Sequence, residues 1–212
     1  MSRPSHNVDR KLLAAGRAML AETGPSGLNI RNVARRAGVN LGMFHYHFGT
    51  KEAFLDRVLQ ETYEEFFSRL TLDTSGPGSP LEKLERALFT VGRFARDRRP
   101  LLFVLLREAM DGHKPTIAFA ARNLPRHLAI VRALVEECWR RRLLLRASLP
   151  QTISFLLSTM GIPSLVAGLV DKSGARRPMG LGPGAFKAAL LSDSALRQRA
   201  RLAIRALETR RK

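Results

Sequence analysis

At 212 residues the chain can bury a real core, as one domain or two small ones, and its 45% hydrophobic and 25% charged content is that of a soluble globular protein. Its one cysteine, Cys138, excludes an internal disulfide and a multi-cysteine zinc site and fits a reducing cytoplasm, and the opening MSRPSHNVDRK has no apolar signal-peptide core, so export is not expected. A net charge of +18 draws the protein to polyanions, but arginine outnumbers lysine 29 to 7 in a chain rich in Ala, Gly and Leu, which GC-rich coding also produces; the charge agrees with nucleic-acid binding without establishing it.

In chain order, residues 1–6 read as a loose basic arm. A first helix runs from about Asn7 to Thr23, with Leu12, Ala15, Gly16, Met19 and Leu20 as its apolar stripe. Gly16 costs about 1 kcal/mol against alanine there, and close approach of another helix is the expected compensation. Gly24, Pro25 and Gly27 end the helix. Ile30, Val33, Ala34 and Ala37 then share one helical face. Gly38 stands where a left-handed C-cap wants glycine, Val39 plugs the turn, and Asn40 can cap the next helix, roughly Leu41–Phe48, which buries Phe44 and Phe48. Two short helices joined by a glycine turn are a helix-turn-helix, whose second helix enters a major groove. Thr50 can cap the following helix, which carries Phe54, Val58, Thr62 and Phe66 at four-residue spacing to about Leu70.

Leu72–Ser79 reads as a linker, and Ser79-Pro80 as the cap and first turn of a helix to about Arg98 that packs Leu81, Leu84, Leu88, Val91 and Phe94. Pro100 opens another, ended by Asp111-Gly112. Pro115 begins a short helix, and a longer one spans about Pro125–Arg142 with Leu128, Val131, Leu134, Val135, Cys138 and Trp139 inward. Leu149–Val170 lacks charge and is long enough to span a bilayer. Its Gln, Thr and Ser content and Pro163 instead favour a core helix that also faces a second subunit. Lys172–Gly184 reads as a Gly/Pro loop; Gly180, Gly182 and Ala185 fit G-x-G-x-x-A only on paper, because no strand precedes them. A last helix, about Ser194–Leu207, sets Leu196, Ala200, Ala203, Ile204 and Leu207 against Arg197, Arg199, Arg201 and Arg205. No strand is expected: the class is all-α with about nine helices, divided as a head over 1–49 and a larger domain over 50–212.

The run Ala34, Ala37, Gly38, Val39, Asn40, Gly42, Phe44, His45, His47, Phe48, Lys51, Glu52 and Phe54 resembles the signature of the tetracycline-repressor-like (TetR/AcrR) family of transcriptional regulators. It departs from that pattern at Asn40, where serine is usual, and at His45, where tyrosine is usual. Each change keeps a polar group, and the second leaves the tyrosine's phosphate contact to His45 or to its neighbour Tyr46. The resemblance implies a homodimeric, ligand-responsive regulator, usually a repressor. Helices 1–3 would read a near-palindromic operator, helices 4–7 would form a ligand chamber, and the last two, near 149–170 and 194–207, would build a four-helix bundle across the dimer. It further implies Arg31, Leu41, Gly42 and Met43 near base edges and Asn40, His45, Tyr46, His47 and Lys51 on phosphates. Leu41 and Met43 offer only apolar contact to thymine methyls, which leaves hydrogen-bonded readout mainly to Arg31; the alternative is that they are core.

Phe103, Arg107, Met110, Phe119, His127, Trp139, Phe155 and Met160 could line a pocket for a small apolar or acidic effector, though the same residue types at helical spacing also make plain core. Arg107 needs a partner beside LLFVLL; Asp111 at i+4 is placed for it, whereas Glu108 faces away. His45 and His47 lie about 200° apart around a helix and cannot share a metal. No cofactor or metal is implied, and no catalytic spacing supports an enzyme. The alternative function is a constitutive DNA-binding protein without an effector.

Overall fold

Side-chain caps start α-helices at five points, Asn29, Asn40, Thr50, Ser79 and Ser192, in the computed structural model, which describes residues 6–209. Of the arm expected at residues 1–6, residues 1–5 lie outside the described residues, and His6 is the first residue of α1 rather than part of a loose segment. Among the described residues ten α-helices follow one another: α1 (His6–Gly27), α2 (Ile30–Ala37), α3 (Leu41–Phe48), α4 (Lys51–Ser75), α5 (Pro80–Asp97), α6 (Arg99–Met110), α7 (Lys114–Arg140), α8 (Leu149–Ser173), α9 (Pro183–Leu191) and α10 (Asp193–Arg205). Among the described residues the single β pairing is an isolated bridge, Leu144 to Glu208. The class is all-α, as expected.

The boundaries differ from the sequence reading in four places. Gly24 breaks α1 with φ 78° and ψ 172°, so the regular helix does stop near Thr23, and a short turn through Pro25 continues to Gly27. α4 runs to Ser75, past the expected linker start. The two helices expected around Pro115 and Pro125 are one, α7, which carries Pro125 in its interior. α9 stands where the sequence suggests only loop: Pro183 occupies its first turn, where a missing N–H costs nothing, and Phe186 and Leu191 are its buried anchors.

Two compact units divide the chain. One holds the residues up to Glu65 together with Pro100–Ala121; the other holds Phe66–Arg99 and the chain from Arg122 onward. In the first, Leu12, Leu20, Val33, Phe44, Phe54 and Val58 are at most 1% exposed and form the centre of its core. Gly16 is the close approach that its cost demanded. A Cβ built there would sit 2.4 Å from Phe54 Cζ, so α1 and α4 touch through the missing side chain. In the second, Leu84, Leu88, Val131, Val135, Leu156, Met160 and Leu196 are fully buried. Ser79 and Glu82 form a capping box at the start of α5. Gly92 lets α5 meet α8 and α10: its Cβ would lie 2.6 Å from Met160 Cε and 3.1 Å from Leu196 Cδ2.

α8 has the length and apolar composition of a membrane span, but only 22% of that window is buried within the chain, less than a core helix would show. Thr152, Leu156, Met160, Ser164, Ala167 and Gly168 form its inner face. Phe155, Ile162, Val166 and Leu169 stay 40%, 52%, 41% and 60% exposed along the opposite one, and Leu202 of α10 is 57% exposed.

Candidate nucleic-acid interface

Three side-chain caps build the head. The Asn29 side chain accepts the Arg31 and Asn32 N–H groups at 2.9 and 3.3 Å and starts α2. Gly38 ends it in the left-handed conformation, φ 66° and ψ 35°. Asn40 then accepts the Gly42 N–H at 2.8 Å and starts α3, and Thr50 accepts the Ala53 N–H at 3.1 Å to start α4. The caps satisfy amides that each helix start leaves free and so fix the turn without a large core.

α3 is a rod of eight residues, about 12 Å long at 1.5 Å per residue, held by one aromatic cluster. Phe44 is fully buried; its ring lies 4.9 Å from that of Phe54, which lies 4.8 Å from Phe48. The outer face presents Gly42, His45 and Tyr46, with Tyr46 69% exposed. Leu41, Met43 and His47 are half-buried, and Leu41 packs partly on the head core. His45 Nδ1 lies 3.0 Å from the Gly49 carbonyl, and the buried His47 Nε2 has no protein partner. On α2, Arg31 and Arg35 are exposed, and among the described residues no carboxylate pairs with either. Arg36, by contrast, is tied to Glu22 at 2.9 Å. Lys51 donates to the Ser26 carbonyl at 3.1 Å, which leaves two of its three N–H groups for a phosphate. The rod, its glycine at the second position and the exposed Arg31 and Arg35 beside it form a cationic surface suited to a groove lined with phosphates.

The residues expected to hold a ligand fall in both units. In the first, Phe119 packs at its core, its ring 6.3 Å from Tyr63; Phe103 is half-buried, while Arg107 is exposed and Met110 is 80% exposed. No ion pair joins Arg107 to Asp111 among the described residues, and none is needed in solvent. In the second, Met160 is fully buried in the core, Phe155 lies on the outward face of α8, and Trp139 donates its indole N–H to the Leu145 carbonyl at 3.0 Å. His127 meets Phe66 edge-on at 5.5 Å, and burial pushes its pKa below the usual histidine value, partly offset by a hydrogen bond to the Asn123 backbone. Among the described residues no three His, Cys, Asp or Glu side chains gather as metal ligands.

Sequence reasoning passes over Glu108, which was expected to face away. It is buried, 5% exposed, and accepts the Ser26 N–H at 2.9 Å and the Thr116 hydroxyl at 3.1 Å. A buried carboxylate needs such partners, but both lie in other helices, outside the reach of a local pattern.

Residues 12–58 match the family model described as bacterial regulatory proteins, tetR family. The chain is 32% identical over 106 residues to an HTH-type transcriptional repressor of Mycobacterium tuberculosis, a match covering 50% of this chain and 48% of that protein. It thus spans about half the length of the curated relatives it matches. Two solved structures share the fold along nearly the whole chain. The ketosteroid transcriptional regulator KstR2 of Mycobacterium tuberculosis superposes with a TM-score of 0.70 at 16% identity, covering 95% of each chain. The fatty acid degradation regulator FadR from Bacillus halodurans gives 0.73 at 14% identity, covering 96% of this chain and 97% of its own. The matched segment takes in all of α2 and α3, most of α1 and the start of α4, so it is the helix-turn-helix head of this chain that is similar to the tetR family of bacterial regulatory proteins.

Proposed function

We propose that the protein is a transcriptional regulator, acting as a repressor, which binds a near-palindromic operator as a homodimer and is released by a small apolar or acidic effector. The observation that carries this reading is the exposed α3 face beside the unpaired Arg31 and Arg35, in a segment that matches a DNA-binding family. The relative named a repressor supports the direction of regulation, and the neighbours named as ketosteroid and fatty acid degradation regulators support an apolar or acidic effector.

Dimerisation rests on the outward apolar row of α8, with Leu202 of α10 as a further exposed apolar side chain. A second copy of that row would remove it from water, at about 25 cal/mol for each Å² buried. Two heads fixed by that bundle would reach half-sites one helical turn, or a multiple of it, apart. An effector releases DNA only in so far as it prefers a dimer whose heads no longer match that spacing.

The test is a gel shift on the DNA upstream of the protein's own gene, with wild type and Arg31→Ala, followed by a thermal-shift screen of apolar acids and sterols. A retarded band at low salt that weakens in the variant, and a compound that both raises the melting temperature and releases the band, are the expected results. Absence of any band, or a band indifferent to Arg31→Ala, would refute operator recognition. A band that no effector candidate disturbs would favour constitutive binding.

A further inference from the structure

The first unit contains a polar clamp whose sequence partners stand far apart. Glu108, near the end of α6, takes the Ser26 N–H on Oε1 at 2.9 Å and the Thr116 hydroxyl on Oε2 at 3.1 Å. His113 Nδ1 lies 2.9 Å from that hydroxyl and 3.3 Å from the same carboxylate oxygen. The hydroxyl has one proton and gives it to Glu108, so Nδ1 must carry a hydrogen and donate. The His113 N–H in turn donates to the Glu108 carbonyl at 2.8 Å. Glu108 and Thr116 are 5% and 3% exposed, and among the described residues no lysine or arginine pairs with the carboxylate. An apolar residue would fill this place at lower desolvation cost. The group present is instead one that fixes a backbone N–H at a defined point.

That N–H belongs to the segment that launches the DNA-reading helices. The other side of the same residue, the Ser26 carbonyl, is held by Lys51 Nζ at 3.1 Å, and Lys51 is the first residue of α4. Ser26 is therefore gripped at both its polar backbone groups, by α6 and by α4. Gly24 shows how closely the strand of chain is seated: with φ +78°, its Cβ would lie 2.3 Å from Val104 Cγ1 and 2.8 Å from Glu108 Oε1. Three residues after the clamp comes Asn29, the cap of α2, and Leu28 between them is 2% exposed. Little slack separates the clamp from Arg31. A cavity of about 150 Å³, lined by Pro25, Lys51, Leu55, His113, Thr116 and Phe119 among others, lies beside it.

We infer that Glu108 is a positioning residue for DNA binding: by holding the Ser26 N–H it fixes the segment before α2 and so sets where α2 and α3 stand. The inference rests on the proposed DNA-binding function. Glu108 acts in this role without touching DNA.

The test compares Glu108→Leu, Glu108→Gln and, as a control of the other core, Val131→Ala, in the full chain. Affinity for the upstream fragment is read by fluorescence anisotropy well below each melting temperature. Hydrogen exchange is read over residues 25–33 and over 131–138. Glu108→Leu is expected to lose at least tenfold in affinity, with exchange over 25–33 at least tenfold faster and exchange over 131–138 unchanged. Glu108→Gln, which still accepts the Ser26 N–H, should stay within threefold of wild type in both. A Glu108→Leu protein that binds as wild type, or no worse than Val131→Ala, overturns the inference, as does exchange over 25–33 that does not change. If wild type itself binds no DNA, the functional reading fails instead, and the exchange measurement still decides whether Glu108 holds the segment before α2.

Discussion

Replacing Gly16 with alanine sets two opposed effects against each other, and the packing decides the sign. Helix propensity alone favours alanine by about 1 kcal/mol in the middle of α1. The new Cβ, however, would lie 2.4 Å from Phe54 Cζ, 2.7 Å from Cε1 and 3.3 Å from Val58 Cγ2. Carbon atoms rest at about 3.5–4.0 Å, so the Phe54 ring must retreat by roughly 1 Å or more. It has no space to do so: Phe54 is fully buried, with Phe44 and Phe48 rings 4.9 and 4.8 Å away. Overpacking costs typically about 1–3 kcal/mol, and a ring with no room to retreat puts this site in the upper part of that range, about 2–3 kcal/mol before the propensity gain is subtracted. The net expectation is a loss of about 1–2 kcal/mol, which for a chain of this size lowers the melting temperature by roughly 2–8 °C. Because Phe44 anchors α3, operator affinity should fall as well. Denaturation of Gly16→Ala beside Ala14→Gly, an exposed position on the same helix, separates the effects, since the second change carries the propensity cost alone. A Gly16→Ala protein more stable than wild type would show that the α1–α4 contact is slack and the reasoning wrong.

Arg31→Ala should weaken operator binding by about 1–3 kcal/mol while leaving binding to unrelated DNA nearly unchanged, because a base contact specifies and a phosphate contact does not; anisotropy on matched and scrambled fragments reads this directly. Ile162→Arg places a charge in the exposed apolar row of α8, where the wild-type side chain is 52% exposed, and should yield a folded monomer in sedimentation that no longer binds the operator. His127 makes stability depend on pH. Burial holds its pKa below the ordinary 6.5, so the folded state binds fewer protons than the unfolded one between the two values. Stability is then full above about pH 6.5 and falls as pH drops toward the lower folded pKa; His127→Phe should flatten that slope in thermal melts. A second loss follows at lower pH. Hydrogen bonds from Ser79, Arg141 and Arg96 hold Glu82, Glu137 and Asp193 below their usual values, and their contribution disappears as pH falls through those lowered values.

The head is legible in the sequence because its instructions are local. Gly38, Asn40 and Thr50 each act on amides or carbonyls a few residues away, and each is found in the expected role. The stripes of α1 and α4 are legible for the same reason of period. What escapes the sequence depends on long-range or weak signals. α9 has nine residues and opens with Pro-Gly, so its two buried anchors are too few to show a helical period. Pro125 argues for a helix start, but the chain on either side is helical enough to carry it as an interior proline. In LLFVLLRE the apolar residues surround the helix, and the pattern therefore cannot say whether Arg107 or Glu108 points inward. The choice falls to Glu108 because Ser26, 82 residues earlier, supplies a free N–H. From its position Lys51 reads as a phosphate ligand; its hold on Ser26 adds a second role that only the folded chain reveals.

Net charge says less about DNA binding than the way the charge is distributed. Much of it is already engaged within the chain: Arg17 pairs with Glu61 and Glu65, Arg57 with Glu61 and Arg201 with Glu85, while Arg197 lies over the Phe89 ring at 4.1 Å. Between Glu22 and Glu52, however, no Asp or Glu occurs, while Arg31, Arg35, Arg36 and Lys51 do. A segment that itself carries no carboxylate meets phosphates with little local repulsion, which a uniform arginine bias in the coding sequence would not produce. The two explanations for the basic composition therefore separate by salt dependence. If the head alone meets the backbone, Arg35→Ala lowers the slope of log affinity against log salt by about 1 for each phosphate it leaves unneutralised, and Arg197→Ala with Arg201→Ala leaves the slope unchanged. If instead the whole basic surface clings to DNA, the α10 substitutions lower the slope as much as the α2 substitution does, and the assignment of binding to α2 and α3 fails.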